Sequence, residues 1–348
     1  MMRPLRSSLA LGDLSPPPPG RTGWPWTVAT PPLPEARADG APWPRISIVT
    51  PSFNQGHFIE ETIRSILLQG YPNLEYIVID GGSTDDTVEI LRKYEPHLAH
   101  WVSEKDRGQS HAINKGMARA TGDIRAYLNS DDIYLEGALA RIAESAIRQP
   151  GVDLIHGRCR ISDENGNKVG ERVGSIAAFH EIVDLWDVWW KQRNFVQPEV
   201  FWTGRIADKV GPFREDLYWV MDFDYWLRIL DAGGQVAFID AELAMFRRQP
   251  AQKSTQPART AAELRGVVKP YIFAAENGER LPNRAQLQAH WLFDAVFRKE
   301  AQRSLDLDEG RMRRWTRLAG VVLRHPQIMS LPSFRERVWS TVTRASHR

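Results

Sequence analysis

Ile46-Ser-Ile-Val-Thr-Pro-Ser-Phe-Asn54, Tyr76-Ile-Val-Ile-Asp-Gly-Gly-Ser-Thr-Asp85 and Tyr127-Leu-Asn-Ser-Asp-Asp132 are three short, largely β-branched or aromatic runs, each closing in polar, turn-forming residues. The segments between them repeat apolar residues with a helical period, so the stretch from Ile46 to Asp132 reads as strand, helix, strand, in βαβ units. Parallel strands joined in this way bring their carboxyl ends, and the loops that follow, to one edge of the sheet, where ligands of open α/β folds bind. The polar clusters at 50–54, 80–85 and 129–132 fall at those ends.

Working outward, the first strand is expected over Ile46–Thr50, with Pro51 stopping it. His57–Leu68 predicts a helix burying Ile59, Ile63, Ile66 and Leu67, and Leu74–Asp80 predicts the second strand. Leu98–Ser103, Ile124–Asn129 and Asp153–Ile161 predict further strands, separated by helices over Gln109–Arg119 and Leu135–Arg148. Asn165-Gly166 signals a hairpin and hence a mixed sheet beyond it. Val196–Trp202 predicts an edge strand because it contains Pro198. Phe223, Trp226, Leu227 and Leu230 mark one face of a helix, and Gln235–Asp240 and Leu243–Arg248 are two further strand candidates. The tryptophan-rich stretch 186–190 matches no regular pattern. The expected fold is α/β, a mainly parallel sheet flanked by helices, occupying 45–255.

Residues 1–44 hold eleven of the 23 prolines, so that segment is expected to be extended or disordered. Trp24, Trp26 and Trp43 are unusual in such a tail; a peptide strapped to the domain by its rings explains them more readily than a partner-binding motif. Residues 256–348 predict a helical extension to about Arg324. From Arg311 onward there are nine arginines and one acid, Glu336. Arg311–Arg324 suits a basic amphipathic helix whose Trp315, Leu318 and Val322 face lipid, or else one packed on the α/β domain with a solvated basic face.

A net charge of +2 over 348 residues gives no argument for nucleic acid. Cys159 is the single cysteine, which excludes a disulfide within the chain. No apolar run reaches the roughly 18 residues that span a bilayer, and the expected location is cytoplasmic, with peripheral contact at the cytoplasmic face of the inner membrane.

Adjacent carboxylates after a strand, Asp131 and Asp132, are ligands suited to magnesium or manganese, which take a few carboxylates plus phosphate oxygens; the same pair could simply start the next helix. Asp80 either receives a nucleobase or ribose hydrogen bond or closes its own turn. Asp222 is either a helix cap or a general base. The chain has neither a Gly-x-Gly-x-x-Gly fingerprint nor a P-loop, and no histidine pair at zinc spacing.

Together these motifs resemble a family 2 glycosyltransferase of the GT-A fold, from Ile46 to about Ser254. The resemblance rests on Val49–Asn54, Ile79–Thr87, Gly108–Gly116 with Asn114, Leu128–Asp132 and Met221-Asp-Phe-Asp-Tyr-Trp-Leu-Arg228, in that order. It implies a nucleotide-sugar donor, UDP-linked by preference, a divalent cation, and inversion at the anomeric carbon. Pro51, Phe53, Asn54 and Asp80 would then form the nucleoside pocket, Asp131 would lie by the ribose and diphosphate, and Asp132, with Asp131, would hold the metal. Asp222 would take the proton of the acceptor hydroxyl, and Trp190 and Trp226 would receive a glycan or lipid-linked acceptor. Two positions depart from the pattern: Met221 replaces a glutamate, and Gln249 stands where many relatives carry a metal-binding histidine. Those departures keep open a non-catalytic nucleotide-sugar-binding or scaffold protein. A sugar nucleotidyltransferase would need a glycine-rich basic loop after the first strand, which Pro51–Asn54 is not.

Overall fold

A computed structural model describes residues 8–249, 252, 256–306 and 311–336. Residues 1–7 of the proline-rich segment, Pro250 of the Phe246–Pro250 stretch, and the basic residues after 336 lie outside the described part. The chain divides into two compact units, Met1–Phe179 with Gln192–Thr255, and His180–Lys191 with Gln256–Arg348.

The first unit runs β1 (Ile46–Ser52), α1 (Ile59–Leu67), β2 (Leu74–Asp80), α2 (Thr87–Tyr94), β3 (His100–Ser103), α3 (Gln109–Met117), β4 (Ile124–Tyr127), β5 (Ile133–Tyr134), α4 (Ala138–Arg148), β6 (Leu154–Ser162) and β7 (Lys168–Val173). The short α5 (Phe179–Val183) stands at the unit boundary, and β8 (Phe201–Thr203), α6 (Gly204–Val210), α7 (Met221–Asp231) and β9 (Val236–Arg247) complete the order. One sheet of nine strands carries the order β3-β2-β1-β4-β8-β6-β9-β5, with β7 paired to β6. β3, β2, β1 and β4 are parallel, while β8 runs antiparallel to both β4 and β6. This is the mixed, mainly parallel sheet expected. Every residue of β1 and β2 is buried, as in strands covered on both faces.

Pro51 does not stop β1. Arg45 and Val49 turn their carbonyls to β4, where Ile124 and Leu128 donate to them, whereas Ile46 and Ser52 bond on the β2 side. Pro51 shares the parity of Val49, so its missing N–H faces beyond the end of β4 at Tyr127 and breaks no ladder bond. Val196–Trp202 is likewise not an edge strand. Pro198 lies in a 3-10 turn (Gln197–Glu199), and only Phe201–Thr203 is extended, inserted between β4 and β6. The two strands expected after α7 are one, β9, whose register against β6 shifts around Arg158. α4 starts at Ala138 rather than Leu135, because Ile133–Tyr134 pairs with β9 first. Asn165-Gly166 does turn β6 into β7, with Gly166 at φ 86°. Gly116 lets α3 lie directly on β1, since a Cβ there would approach Val49 Cγ1 to 2.3 Å.

Residues 8–44 are ordered against the domain, which corrects the expectation of disorder and matches the strapped reading. Arg64 of α1 is only 1% exposed, and its guanidinium donates to the carbonyls of Ser15 (2.9 Å), Pro25 (3.1 Å) and Trp26 (2.9 Å). Trp24 Nε1 donates to the Tyr134 carbonyl at 2.8 Å. A short strapped peptide has few internal bonds, so side chains of the domain supply them.

The second unit contains α8 (Pro257–Phe273), α9 (Arg284–Leu292), α10 (Arg298–Asp306) and α11 (Arg311–Arg324). Its core gathers Ala289, Leu292, Phe293, Phe297, Leu318, Val321, Ile328 and Leu331, with Val322 packed against it. Leu318 and Val322 therefore face this core and not lipid. The outward apolar residues of α11 are Met312 and Leu323, interspersed with Arg313, Arg317 and Arg324. Trp186, in the 186–190 stretch, donates Nε1 to Asp294 at 2.8 Å and stacks on His290.

Candidate active site

The parallel ladder aligns the carboxyl ends of β1, β2, β3 and β4, and the loops after them are laced together. Asn54 adopts φ 51°, donates its N–H to Ser83 Oγ at 2.7 Å and accepts the Thr84 N–H on Oδ1 at 2.9 Å. Gly56 donates to Asp85 Oδ2 at 2.8 Å and Gln55 to Thr87 Oγ1 at 3.0 Å. Phe53, within this loop, is 59% exposed, while Pro51 is buried.

Asp80 is fully buried. Its Oδ2 accepts from the N–H groups of Gly82 (3.1 Å) and Ser83 (2.9 Å) and from Ser103 Oγ (2.6 Å), and its Oδ1 from Ser83 Oγ (2.5 Å). Four donors occupy the carboxylate, so Asp80 closes its own turn, one of the two roles weighed from the sequence.

After β4, Asp131 and Asp132 diverge in environment. Asp132 is 1% exposed; its Oδ1 accepts the Arg247 backbone N–H at 2.9 Å, and its Oδ2 is buried with no hydrogen-bond partner. Burial, and then the neighbouring Asp131 carboxylate, push the Asp132 carboxyl well above the ordinary carboxylate range. Asp131 is partly exposed, and its Oδ2 accepts from Gln249 Nε2 at 2.6 Å. The Arg247 side chain buttresses the pair through the Asp131 carbonyl (2.9 Å) and Glu61 Oε2 (2.9 Å), and Thr62 Oγ1 donates to the Asp132 carbonyl at 2.7 Å. Among the described residues no three His, Cys, Asp or Glu side chains gather at one point. Two adjacent carboxylates, one with an orphaned buried oxygen, nonetheless fit magnesium or manganese, which complete their shell with phosphate oxygens and water.

Asp222 lies in the first turn of α7, half-buried, with Oδ1 accepting the Phe223 N–H at 2.7 Å. Tyr127, at the end of β4, is fully buried; burial raises its phenol well above its usual range, and the carboxylates of Asp222 and Asp132 raise it further. α7 is clamped in place by Arg228, which donates to Asp224 Oδ2 (2.8 Å), to the Val210 carbonyl (2.6 Å) and to that of Pro212 (2.9 Å).

Trp226 is 2% exposed and meets Phe195 edge-on at 5.5 Å, so it fills the core of the first unit and is not an acceptor platform. Trp190 is 40% exposed and belongs to the second unit. A chain of polar side chains escaped the sequence reading. Gln109 donates to Asn129 Oδ1 (2.6 Å), Asn129 to Gln197 Oε1 (3.0 Å), and Gln197 to the Tyr127 carbonyl (2.7 Å). Gln197 next to Pro198 was the only available signal, and it was absorbed into a supposed strand. Arg247 escaped too, because its partners are far away in sequence.

The glycosyl transferase family 2 model matches residues 47–253. A stretch of 92 residues is 44% identical to an uncharacterized glycosyltransferase of Mycobacterium tuberculosis, covering 26% of this chain and 35% of that protein. A stretch of 125 residues is 32% identical to the GalNAc(5)-diNAcBac-PP-undecaprenol beta-1,3-glucosyltransferase of Campylobacter jejuni, covering 35% of this chain and 40% of that one. The matched stretches thus span well under half of these relatives. Among solved structures, residues 1–349 of S. aureus TarS bound to UDP superpose with a TM-score of 0.54 at 18% identity, over 77% of this chain and 76% of that one. The mannosyltransferase PcManGT of Pyrobaculum calidifontis, with GDP-Man and Mn2+, superposes with a TM-score of 0.50 at 20% identity, over 86% and 88%. The fold is shared with both.

Proposed function

The chain belongs to glycosyl transferase family 2, and from that premise we propose that it transfers a sugar from a nucleoside-diphosphate sugar, UDP-linked by preference, to a hydroxyl of a glycan or lipid-linked acceptor, with inversion. The observation that carries this reading is the acidic pair after β4, in which Asp132 keeps an orphaned buried oxygen beside the partly exposed Asp131. With Asp222 in the first turn of α7, the reading has separate carboxylates for the two ends of a displacement, one for the leaving diphosphate and one for the attacking hydroxyl.

In this reading Pro51 and Phe53 bound the nucleoside, and Asn54 holds the loop that carries Phe53. Asp132 and Asp131 hold the cation, with Gln249 on the outer side of Asp131. Magnesium or manganese, when bound, supplies charge neutralisation and orientation for the departing diphosphate. Asp222 accepts the proton of the acceptor hydroxyl as its oxygen attacks the anomeric carbon. The acceptor-side role of Trp190 remains part of the proposal, and Trp226 does not.

We assign the lipid side of the reading to α11, whose outward face combines Met312 and Leu323 with three arginines suited to anionic headgroups at the cytoplasmic face. The undecaprenol-linked substrate named for the C. jejuni relative supports an acceptor of that kind. Among the described residues no helix is long and apolar enough to cross a membrane.

The test is calorimetric binding of UDP, GDP, dTDP and CDP with and without Mn2+, followed by turnover of the matching nucleotide sugar. Metal-dependent binding of one nucleotide and release of that nucleotide on adding acceptor are expected. Absence of binding under every condition would replace this reading with a non-catalytic scaffold, for which Met221 and Gln249 are the sequence arguments.

A further inference from the structure

β2 ends at Asp80 with its carboxylate fully occupied, and the next residue, Gly81, has no side chain. A Cβ at Gly81 would lie 2.9 Å from Asp106 Oδ2 and 3.3 Å from Phe53 Cδ2. The carboxylate of Asp106, from the loop between β3 and α3, therefore sits where a side chain at the end of β2 would be, beside the exposed Phe53 ring. Its Oδ1 accepts the Gly108 N–H at 2.8 Å, and among the described residues its Oδ2 accepts no hydrogen bond. The next residue braces the loop: Arg107 Nη2 and Nε reach Glu215 Oε2 at 2.7 and 3.0 Å.

Resting on the donor reading above, we propose that Asp106 reads the nucleobase of the donor through its Oδ2, with Phe53 as the adjoining ring surface. An ionised carboxylate only accepts hydrogen bonds. Uracil and thymine offer N3–H, and guanine offers N1–H and its 2-amino group. Cytosine and adenine carry an acceptor nitrogen, N3 or N1, at that ring position and their N–H donors on the exocyclic amino group instead, so in the same ring placement each would bring a lone pair against Oδ2. A site built to pair with a ring N–H at one position disfavours a base with an acceptor there, because the site's own acceptor is then left facing a lone pair. Asp106 thus selects uracil, thymine or guanine nucleotides over cytosine and adenine ones, from a loop instead of from the strand end.

The experiment measures Kd for UDP, GDP, CDP and ADP, all with Mn2+, on the wild type, Asp106→Ala and Asp106→Asn. In the wild type UDP or GDP binds more tightly than CDP and ADP. Asp106→Ala weakens the favoured nucleotide by roughly 10- to 100-fold, the worth of a hydrogen bond to a charged group, and leaves CDP nearly unchanged. Asp106→Asn keeps an oxygen for the Gly108 N–H and offers an N–H to cytosine N3, so the ratio moves toward CDP. The ratio of two affinities does not depend on the folded fraction, so a destabilised variant still reports. A wild type that prefers CDP or ADP, or variants that keep the wild-type ratio, overturn the assignment to Asp106 while the donor site stands. A wild type that binds no nucleotide overturns the donor reading itself, and this inference with it.

Discussion

Gln249 Nε2 donates to Asp131 Oδ2 at 2.6 Å, so an amide, and not an imidazole, faces the acidic pair from the end of β9. A neutral donor bonded to a carboxylate orients it without competing as a strong ligand. Groups in that outer position typically alter metal affinity 10- to 100-fold when removed. Gln249→Ala is therefore expected to weaken Mn2+ binding by roughly tenfold, read by calorimetry in the presence of UDP. An unchanged metal affinity would show that the amide serves only the fold.

The orphaned Oδ2 of Asp132 has two consequences for the metal-free protein. Its carboxyl is held above the ordinary range by burial and by Asp131, so the folded state keeps a proton that the unfolded state has lost. Stability from this group is present at acid pH and is lost as pH rises from the ordinary carboxylate range through the raised value. Asp132→Asn removes that loss, and a gain of ~1 kcal/mol, about 2–4 °C in Tm, is expected at neutral pH without metal. Mn2+ competes with the same proton, so wild-type metal affinity should increase with pH over that raised range and be lost in Asp132→Asn. A Tm that falls in the variant would contradict this account.

Asp222→Asn keeps the size of the side chain and removes its basicity. We expect kcat to fall by ~10²–10⁴-fold, the usual worth of a general base, with the Kd of the donor nucleotide within about twofold of wild type. Comparable losses in kcat and in nucleotide affinity would instead assign Asp222 to donor binding.

His156 is 2% exposed between Phe195 at 4.6 Å and Phe238 at 5.1 Å, and burial lowers its pKa to about 4. The unfolded chain protonates this ring near its ordinary value while the folded chain does not, so stability is lost as pH falls from about 6.5 toward 4. Relative to wild type, His156→Phe should lose less stability over that interval, by a few kcal/mol at most. Urea midpoints of both proteins at pH 7 and pH 4.5 give the comparison, and parallel losses would exclude His156 as a source.

Arg64 ties the proline-rich strap to α1 through three carbonyls and also donates to the Tyr94 hydroxyl of α2. Arg64→Met leaves the buried Pro25 and Trp26 carbonyls without their donor, at a cost of about 2–4 kcal/mol. Trypsin should then cut at Arg21 or Arg37 faster than in the wild type, while the domain from Arg45 onward resists. Equal cleavage rates would mean that the strap is held by Trp24 and Trp26 instead.

Much of this protein is readable along the chain because its determinants are local. β-branched runs ending in polar turns, a helical period between them and Asn165-Gly166 at the hairpin depend on neighbours a few residues away, and they sufficed for the parallel half of the sheet, its ligand-binding edge and the acidic pair after β4. Where the reading failed, the deciding contact was distant. Pro51 continues β1 only because β4, more than 70 residues later, ends at Tyr127 and asks nothing of its missing N–H. Residues 8–44 are ordered because Arg64 and Tyr134 supply the hydrogen bonds that a proline-rich peptide lacks. Trp226 becomes core through Phe195, and the Asp80 carboxylate is taken up by four donors, one of them Ser103 on the neighbouring strand. By itself the sequence determined the fold class, the order of the motifs and the chemical types available at the crevice, since hydrophobic period and turn chemistry are properties of short segments. Only the tertiary structure decided which carboxylates are occupied and which are left to meet a ligand, because a carboxylate's role depends on the donors and burial that remote segments bring to it.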